Sequence, residues 1–193
     1  MIVGVGNLPR NLVEKLRMYV DDPRVLINPE FFDSKKELVN RRYNKYVEKV
    51  YRYRDVIIAA IYPDYLYKDV YKLCDLPIIW IFPIHSLKEF EIGIPSCVDV
   101  VGFAADPRYR DYTVTEFVEK AKMYGYKMWW LGASKREIEI ATSMNFWGLD
   151  VNTGSTGLSF RKISSPEFPE YFAQFLRKVA NNGIKTKVLL QWI

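Results

Sequence analysis

The sequence predicts an α/β fold, in which a compact (β/α)8 barrel is favoured over an open doubly wound parallel sheet. About eight short apolar runs alternate with helical patterns along the chain, as in parallel sheets covered by helices. Several runs are apolar at nearly every position, which is typical of strands buried on both faces. The 193 residues fall short of the roughly 250 that are typical of this barrel, so we expect a shortened or missing helix.

Strands are predicted wherever an apolar run ends at a turn residue such as Gly, Pro, Asn or Asp. The run at 55–62, read as DVIIAAIY, is the most apolar of them. No linker or low-complexity tract interrupts the chain, which predicts a single domain over residues 1–193. The predicted strands cover residues 2–5, 25–27, 55–62, 78–82, 98–104, 128–131, 146–149 and 187–193.

Helices are predicted between these strands. Pro9 suits the first turn of the first helix, and Ser134 followed by Glu137 forms a capping-box pattern. The helix at 34–53 is long and basic, with apolar residues at helical spacing that include Leu38 and Val39, both expected to face inward. The predicted helices cover residues 9–20, 34–53, 65–74, 86–91, 113–124, 134–144 and 169–180.

Polar residues directly follow most of the predicted strands, and this placement predicts a functional site. Parallel strands bring their C-terminal ends to one mouth of a barrel, where α/β proteins usually place their sites. Carboxylates at that mouth are suited to share acid, base and nucleophile roles, although turn preference alone also explains Asp and Asn there. The residues are Asn7, Asn28, Glu30, Asp64, His85, Asp106, Arg108, Ser134, Asp150 and Asn152.

The stretch 127–157 contains the strongest candidate, Asp150. Its strand–helix–strand pattern is expected to place residues 132–134 and 150–156 side by side at the mouth. Asp150 leads into a loop of small polar residues, which suits either a plain turn or a phosphate or sugar bound by backbone N–H groups. Substrate contacts are predicted for Asn28, Asp106, Gly132, Ser134 and Asn152.

The net charge of +5 and the pI near 9.0 favour an anionic partner. Positive residues concentrate in the predicted helix at 34–53, where Arg41, Arg42 and Lys45 lie close together. A solvated helix face explains this pattern, and so does contact with a nucleic-acid backbone. These three residues are therefore candidate nucleic-acid contacts.

Metal, cofactor and membrane functions have no sequence support. Cys74 and Cys97 are far apart in the sequence, which predicts neither a disulfide nor a zinc site, and His85 is the only histidine. No Gly-rich phosphate loop follows the first strand. No apolar run reaches the roughly 18 residues of a membrane span, and the N-terminus lacks a signal-peptide pattern. We expect a cytoplasmic protein without a membrane partner, and the presence of only two glutamines fits a heat-adapted source.

Two stretches carry a resemblance to a known family. The segment VIIAAIYPDYLY at 56–67 resembles the strand ending in Pro-Asp in a branch of the tRNA-guanine transglycosylase superfamily. The segment 98–155, which contains KMWWLGASKREIEI and NFWGLDVNTGS, resembles the later half of the barrel in that superfamily. The likeness is strongest to the compact branch that includes DNA-acting 7-deazaguanine transglycosylases, and it spans residues 25 to 160.

The resemblance implies a base-exchange reaction and assigns two catalytic roles. Asp150 matches the aspartate that attacks the sugar C1′, and Asp64 matches the aspartate that reads the edge of a guanine-like base. The sequence departs from the family at Asn28, where an aspartate is expected, because an amide cannot act as a general base. The family's Gln-Gly is missing near residues 82–83, and the cysteine-rich zinc site of the tRNA enzymes is absent.

These departures leave three functional hypotheses. The first is an active transglycosylase-like barrel that binds a guanine or 7-deazaguanine base, free or within nucleic acid. The second is a catalytically degenerate relative that binds nucleic acid or a protein through the basic helix at 34–53. The third is an unrelated barrel hydrolase or lyase that uses carboxylates, since a fold does not fix a function.

Overall fold

The computed structural model describes residues 1–6, 8–63, 71–158 and 163–181. Among these residues no helix combines the length and apolar character needed to cross a membrane. The strands are β1 Ile2–Val5, β2 Val25–Ile27, β3 Phe31–Phe32, β4 Ala59–Ile61, β5 Ile79–Ile84, β6 Val100–Ala104, β7 Lys127–Leu131 and β8 Gly148–Val151. The α-helices are α1 Arg10–Arg17, α2 Lys35–Val39, α3 Tyr43–Tyr53, α4 Glu89–Ile92, α5 Val114–Met123, α6 Lys135–Ser143 and α7 Phe168–Asn181.

The strands form one parallel sheet that curves into a nearly closed barrel. The order is β2-β1-β8-β7-β6-β5-β4-β3, so the first strand pairs with both the second and the last. Val3 of β1, for example, is opposite Val25 on one side and Leu149 on the other. This pairing confirms the predicted (β/α)8 class and is incompatible with the open doubly wound alternative.

The missing helix lies between β2 and β3. Only residues 28–30 connect these strands, whereas a crossover between adjacent parallel strands needs a dozen or more residues. No helix therefore separates the two strands, and the chain passes directly from β2, which pairs with β1, to β3, which pairs with β4. The N–H of Asn28 donates to Val5 on one side over 3.0 Å, and the carbonyl of Glu30 accepts from Ala59 on the other over 3.0 Å. The sequence did not predict β3 because a two-residue strand has no periodicity to detect.

The predicted long helix at 34–53 is two helices. α2 ends at Val39, and Arg41 adopts a left-handed φ of 54° that no α-helix accommodates. The side chain of Asn40 caps the break by donating to the carbonyl of Lys36 over 2.6 Å. Val39 is 59% exposed rather than facing inward.

The predicted strand at 55–62 shortens to β4, and the predictions at 65–70 and 187–193 lie outside the described residues.

Two apolar layers form the core, one inside the barrel and one between the barrel and its helices. Phe31 and Trp129 fill the barrel interior and stack with ring centroids 5.4 Å apart. Glycines on β1 and β8 leave room for these rings, since a Cβ on Gly4 would lie 2.7 Å from Phe31 and one on Gly148 would lie 2.3 Å from Trp129. The interior layer is Leu26, Phe31, Ala59, Ile61, Ile81, Val100 and Trp129.

Cys74 and Cys97 form a disulfide, with their Cα atoms 5.2 Å apart, so the prediction of unpaired cysteines is wrong. The cysteines are 23 residues apart in the sequence, but each precedes one of two neighbouring strands, β5 and β6. Parallel neighbours bring both approaches to the same end of the barrel. Sequence separation alone does not show this proximity.

Reducing this disulfide is expected to lower the free energy of unfolding by about 3 kcal/mol, because the cross-link restricts the unfolded chain over a loop of this length. Chemical denaturation with and without a reductant measures the change. A Cys74→Ser/Cys97→Ser variant should have the free energy of unfolding of the reduced protein, and the reductant should not change it. Equal stability of the oxidised and reduced protein would contradict the prediction.

Candidate active site at the mouth of the barrel

A cavity of about 350 Å³ opens at the C-terminal ends of the strands, which is the end where the sequence predicts a site. Its volume is within the range of small-molecule sites. Most of its wall is apolar and comes from residues such as Leu38, Ile61, Pro83 and Leu131. Three carboxylates, from Asp33, Asp106 and Asp150, supply acidic groups to this wall.

Asp150 lies on β8 with its half-buried carboxylate turned into the barrel mouth. One carboxylate oxygen accepts a hydrogen bond from the indole Nε1 of Trp129 over 3.0 Å. The other accepts from the backbone N–H of Gly132, also over 3.0 Å. Burial raises the pKa of Asp150 to about 7, and the charge of Asp33 adds to the rise, while the two hydrogen bonds act in the opposite direction.

Asp33 is another carboxylate of the cavity, and the sequence did not predict it. It directly follows β3, so it stands at the mouth for the same reason as Asp150. Burial raises its pKa to about 6, partly offset by the charge and the backbone N–H of Lys35. The sequence pattern that could have indicated Asp33 is two apolar residues followed by an acid, Phe31-Phe32-Asp33.

The two carboxylates form a coupled pair. Each has a raised pKa, and the charge of Asp33 disfavours ionisation of Asp150. Near neutral pH such a pair holds one proton between its members, and the titration belongs to the pair. Lys35 lines the same cavity, and its positive charge favours the ionised form of both acids. The site can therefore present one carboxylate and one carboxylic acid together, as acid–base and nucleophilic catalysis require.

Asp106 stands at the rim, where its role differs from that of the pair. Its carboxylate lies 2.6 Å from the guanidinium of Arg108 and accepts the backbone N–H of the same residue over 3.0 Å. These hydrogen bonds lower the pKa of Asp106 to about 2. Asp106 lines the cavity as predicted, as a permanent anion that also caps a short 3-10 helix.

The other predicted substrate contacts divide into two groups. Gly132 and Asn152 line the cavity. Asn152 also accepts the N–H of Gly154 over 2.8 Å, which shapes the loop after β8. Ser134 begins α6 as predicted, with its N–H bound to Glu137 over 2.8 Å, and lies outside the cavity wall. Asn28 belongs to the link between β2 and β3, also away from the wall.

Comparison with known proteins shows the family to which the chain belongs. No family model matches the sequence. The uncharacterised protein ORF192 of Acidianus two-tailed virus is 32% identical over 186 residues, which cover 92% of this chain and 91% of ORF192. The chain belongs to the ORF192 family.

Solved structures similar to this ORF192-family barrel include two enzymes. Thiamine phosphate pyrophosphorylase from Bacteroides thetaiotaomicron is 15% identical, with 94% of this chain and 97% of that chain covered at a TM-score of 0.46. Phosphoribosyl anthranilate isomerase from Thermus thermophilus is 14% identical, with 93% and 100% covered at a TM-score of 0.44. Neither similarity bears on activity.

The predicted basic contacts lie beside the mouth of this ORF192-family member. Arg41 and Lys35 line the cavity, and Arg42 and Lys45 are exposed on the adjoining start of α3. His85 also lines the cavity, with its Nδ1 2.7 Å from the carbonyl of Tyr109. Two predicted site residues, Asn7 and Asp64, lie outside the described part of the chain.

The raised pKa values of the carboxylate pair predict how stability depends on pH. Between roughly pH 4 and pH 7 the folded protein holds protons on this pair that the unfolded chain releases, so the stabilising contribution of the pair is fully present below this window and is lost as the pH rises through it. We expect the melting temperature to fall from pH 5 to pH 8, and to fall less in Asp150→Asn.

Thermal unfolding at constant ionic strength measures this dependence. Asp99→Asn is the matched control, since Asp99 is exposed at the opposite end of the barrel, just before β6, and its variant should retain the full slope. An Asp150→Asn protein with the slope of the parent would show that Asp150 is not a buried, raised-pKa acid.

Proposed function

We propose that this ORF192-family protein binds a guanine or 7-deazaguanine base at the barrel mouth and exchanges it on a sugar, with Asp150 as the nucleophile. The observation that carries the proposal is the coupled pair of Asp33 and Asp150 in a largely apolar cavity. The main departure from the transglycosylase pattern is Asn28, which stands where a carboxyl group is expected. In this proposal Asp33 supplies that carboxyl group.

The proposed reaction has two balanced displacement steps. In the reactive protonation state the shared proton of the pair is on Asp33. Ionised Asp150 then attacks the sugar C1′ while the bond from C1′ to the base nitrogen breaks, and Asp33 gives its proton to the departing base. An incoming base then attacks C1′ and releases Asp150. Asp33 recovers a proton from that incoming base. No oxidant, reductant or metal takes part.

The shape and chemistry of the cavity support a planar heterocycle as ligand. Its apolar walls suit the faces of a ring, and its carboxyl groups suit the N–H edge of a guanine-like base. The resemblance of residues 56–67 adds Asp64 as a reader of that edge. Asp64 follows β4 in the sequence, and the strand it follows also contributes Ile61 to the cavity wall.

Titration calorimetry with guanine and 7-deazaguanine tests the binding half of this proposal. The parent protein should bind a base, and Asp33→Asn and Asp64→Ala should each weaken binding by roughly tenfold or more, as expected when one charged hydrogen bond of about 1.5–3 kcal/mol is lost. Asp99→Asn should bind like the parent. A protein that binds neither base, with its fold intact, would overturn the proposal.

The cations beside the mouth support a second candidate function, which is binding of a nucleic-acid backbone. Lys35, Arg41, Arg42 and Lys45 are exposed along one short segment. The intervening Glu37 is buried and paired with Lys49 over 2.7 Å, so its charge does little to neutralise them. A base presented to the cavity within a polymer would bring phosphates to this segment.

Neutralising Arg41, Arg42 and Lys45 together by Gln should reduce the dependence of nucleic-acid affinity on salt. Each lost phosphate contact lowers the slope of log K against log salt concentration by about 0.7–0.9, so three contacts predict a decrease of about 2–3. Fluorescence anisotropy with a labelled oligonucleotide measures the slope. Lys15, Lys122 and Lys178, in the last turns of α1, α5 and α7, provide the matched triple control, and an equal effect there would argue against a specific contact.

A further inference from the structure

Trp129 makes a contact with Asp150 that its place in the core does not require. Its side chain is fully buried inside the barrel, and its single polar atom, Nε1, donates to a carboxylate oxygen of Asp150 over 3.0 Å. A buried indole usually finds some hydrogen-bond partner. Here that partner is the half-buried acid of the candidate site, not a backbone carbonyl.

The ring of Trp129 has little freedom to move. It stacks on Phe31 with 11° between the ring planes. On the neighbouring strand, the indole occupies the space that a Cβ atom at Gly148 would need. Trp147 packs against it with ring centroids 6.0 Å apart. The donor is therefore held in place by packing on several sides.

The backbone of Gly132 completes a two-donor clamp. Its N–H donates to the other oxygen of Asp150 over 3.0 Å, and its φ of 72° is in the region that favours glycine. One donor on each oxygen fixes the plane of the carboxylate and favours its charged form. Asp33 receives the backbone N–H of Lys35.

We infer that Trp129 is a positioning residue, whose indole N–H orients the carboxylate of Asp150 and stabilises its ionised form. Its importance for catalysis rests on the proposed function, but the contact itself does not. Asp150 is thereby oriented for attack as the nucleophile.

The indole N–H signals of the ¹⁵N-labelled parent protein test the contact without any ligand. The chain has five tryptophans. The signals of Trp129 and Trp130 are assigned from their disappearance in Trp129→Phe and Trp130→Phe. The Trp129 signal should shift between pH 5 and pH 8 as Asp150 titrates, and this shift should vanish in Asp150→Asn. The Trp130 signal should stay still, because its buried Nε1 has no partner among the described residues. A Trp129 signal that ignores pH would overturn the inference.

The variants test the consequence for the carboxylate. In Trp129→Phe the ¹³C-detected titration of Asp150 should move to higher pH by about one unit, as expected for the loss of one hydrogen bond to a charged group. Trp130→Phe also replaces a buried indole but should leave the midpoint unchanged. An unchanged midpoint in folded Trp129→Phe would contradict a positioning role.

The two proposals fail in different ways. If the protein exchanges no base, the spectra still decide whether Trp129 holds Asp150. If exchange requires Asp150 and the pH profile of kcat is the same in Trp129→Phe, only the positioning role is lost. We expect the rising limb of that profile to move to higher pH in Trp129→Phe.

Discussion

Replacing Asp150 by asparagine is expected to reduce base exchange by roughly 10³-fold or more, which is the order of loss seen when a nucleophile is removed. Asparagine keeps the size of the side chain and can still accept the indole N–H of Trp129, so the fold should survive. It cannot form the proposed ester with C1′, because an amide oxygen is a poor nucleophile at neutral pH.

Exchange of a radiolabelled guanine-type base into a nucleic acid or a nucleoside measures this loss. Asp150→Ala should lose as much activity as Asp150→Asn, because both remove the nucleophile. Asp99→Asn, altered at the far end of the barrel, should keep the parent rate. Retention of exchange by Asp150→Ala in a folded preparation would exclude Asp150 as the nucleophile.

Replacing Gly148 by alanine is expected to destabilise the barrel by about 3 kcal/mol, at the upper end of the usual cost of overpacking. The new Cβ would lie 2.3 Å from two ring atoms of Trp129. That ring is trapped between β8 and Phe31, so relief requires movement of the backbone. For a protein of this size, the melting temperature should fall by roughly 6–12 °C.

Thermal unfolding measures this change, and Gly6→Ala is the matched control. A Cβ at Gly6 would lie no closer than 3.4 Å to its neighbours, so we expect a change within about 1 kcal/mol. An unaffected melting temperature in Gly148→Ala would mean that the indole of Trp129 does not occupy the barrel interior. The clamp on Asp150 would then lose its geometric basis.

The class of the fold was predictable because its signal is repeated. Each buried parallel strand is a continuous apolar run that ends at a turn residue, and nearly every run of this kind became a strand. The capping box at Ser134 and Glu137 placed the start of α6 correctly. These signals are local, so they do not depend on which strands become neighbours.

Most of the misses depend on contacts between parts of the chain that are distant in the sequence. β3 has two residues and exists because it pairs with β4. The break at Arg41 uses a left-handed conformation that arginine rarely adopts. The disulfide between Cys74 and Cys97 requires two approaches to the barrel to become neighbours. None of these features leaves a periodic pattern in the sequence.

For the same reasons, the sequence predicts some residues of the candidate site and not others. Asp150 follows a recognisable strand, and its place at the mouth follows from the parallel topology. Asp33 was missed because its strand was missed. The role of Trp129 was also beyond the sequence, since alternation in β7 does not reveal which of two adjacent tryptophans faces Asp150.

The most direct test of the account is mass spectrometry of the protein trapped during turnover. A nucleic acid or nucleoside with a guanine-type base is supplied without an acceptor base, and the protein is quenched and digested. We predict a glycosyl adduct on the peptide that contains Asp150, absent from Asp150→Asn and present in Asp99→Asn. An adduct on another residue, or exchange that continues in Asp150→Asn, would contradict the proposed mechanism.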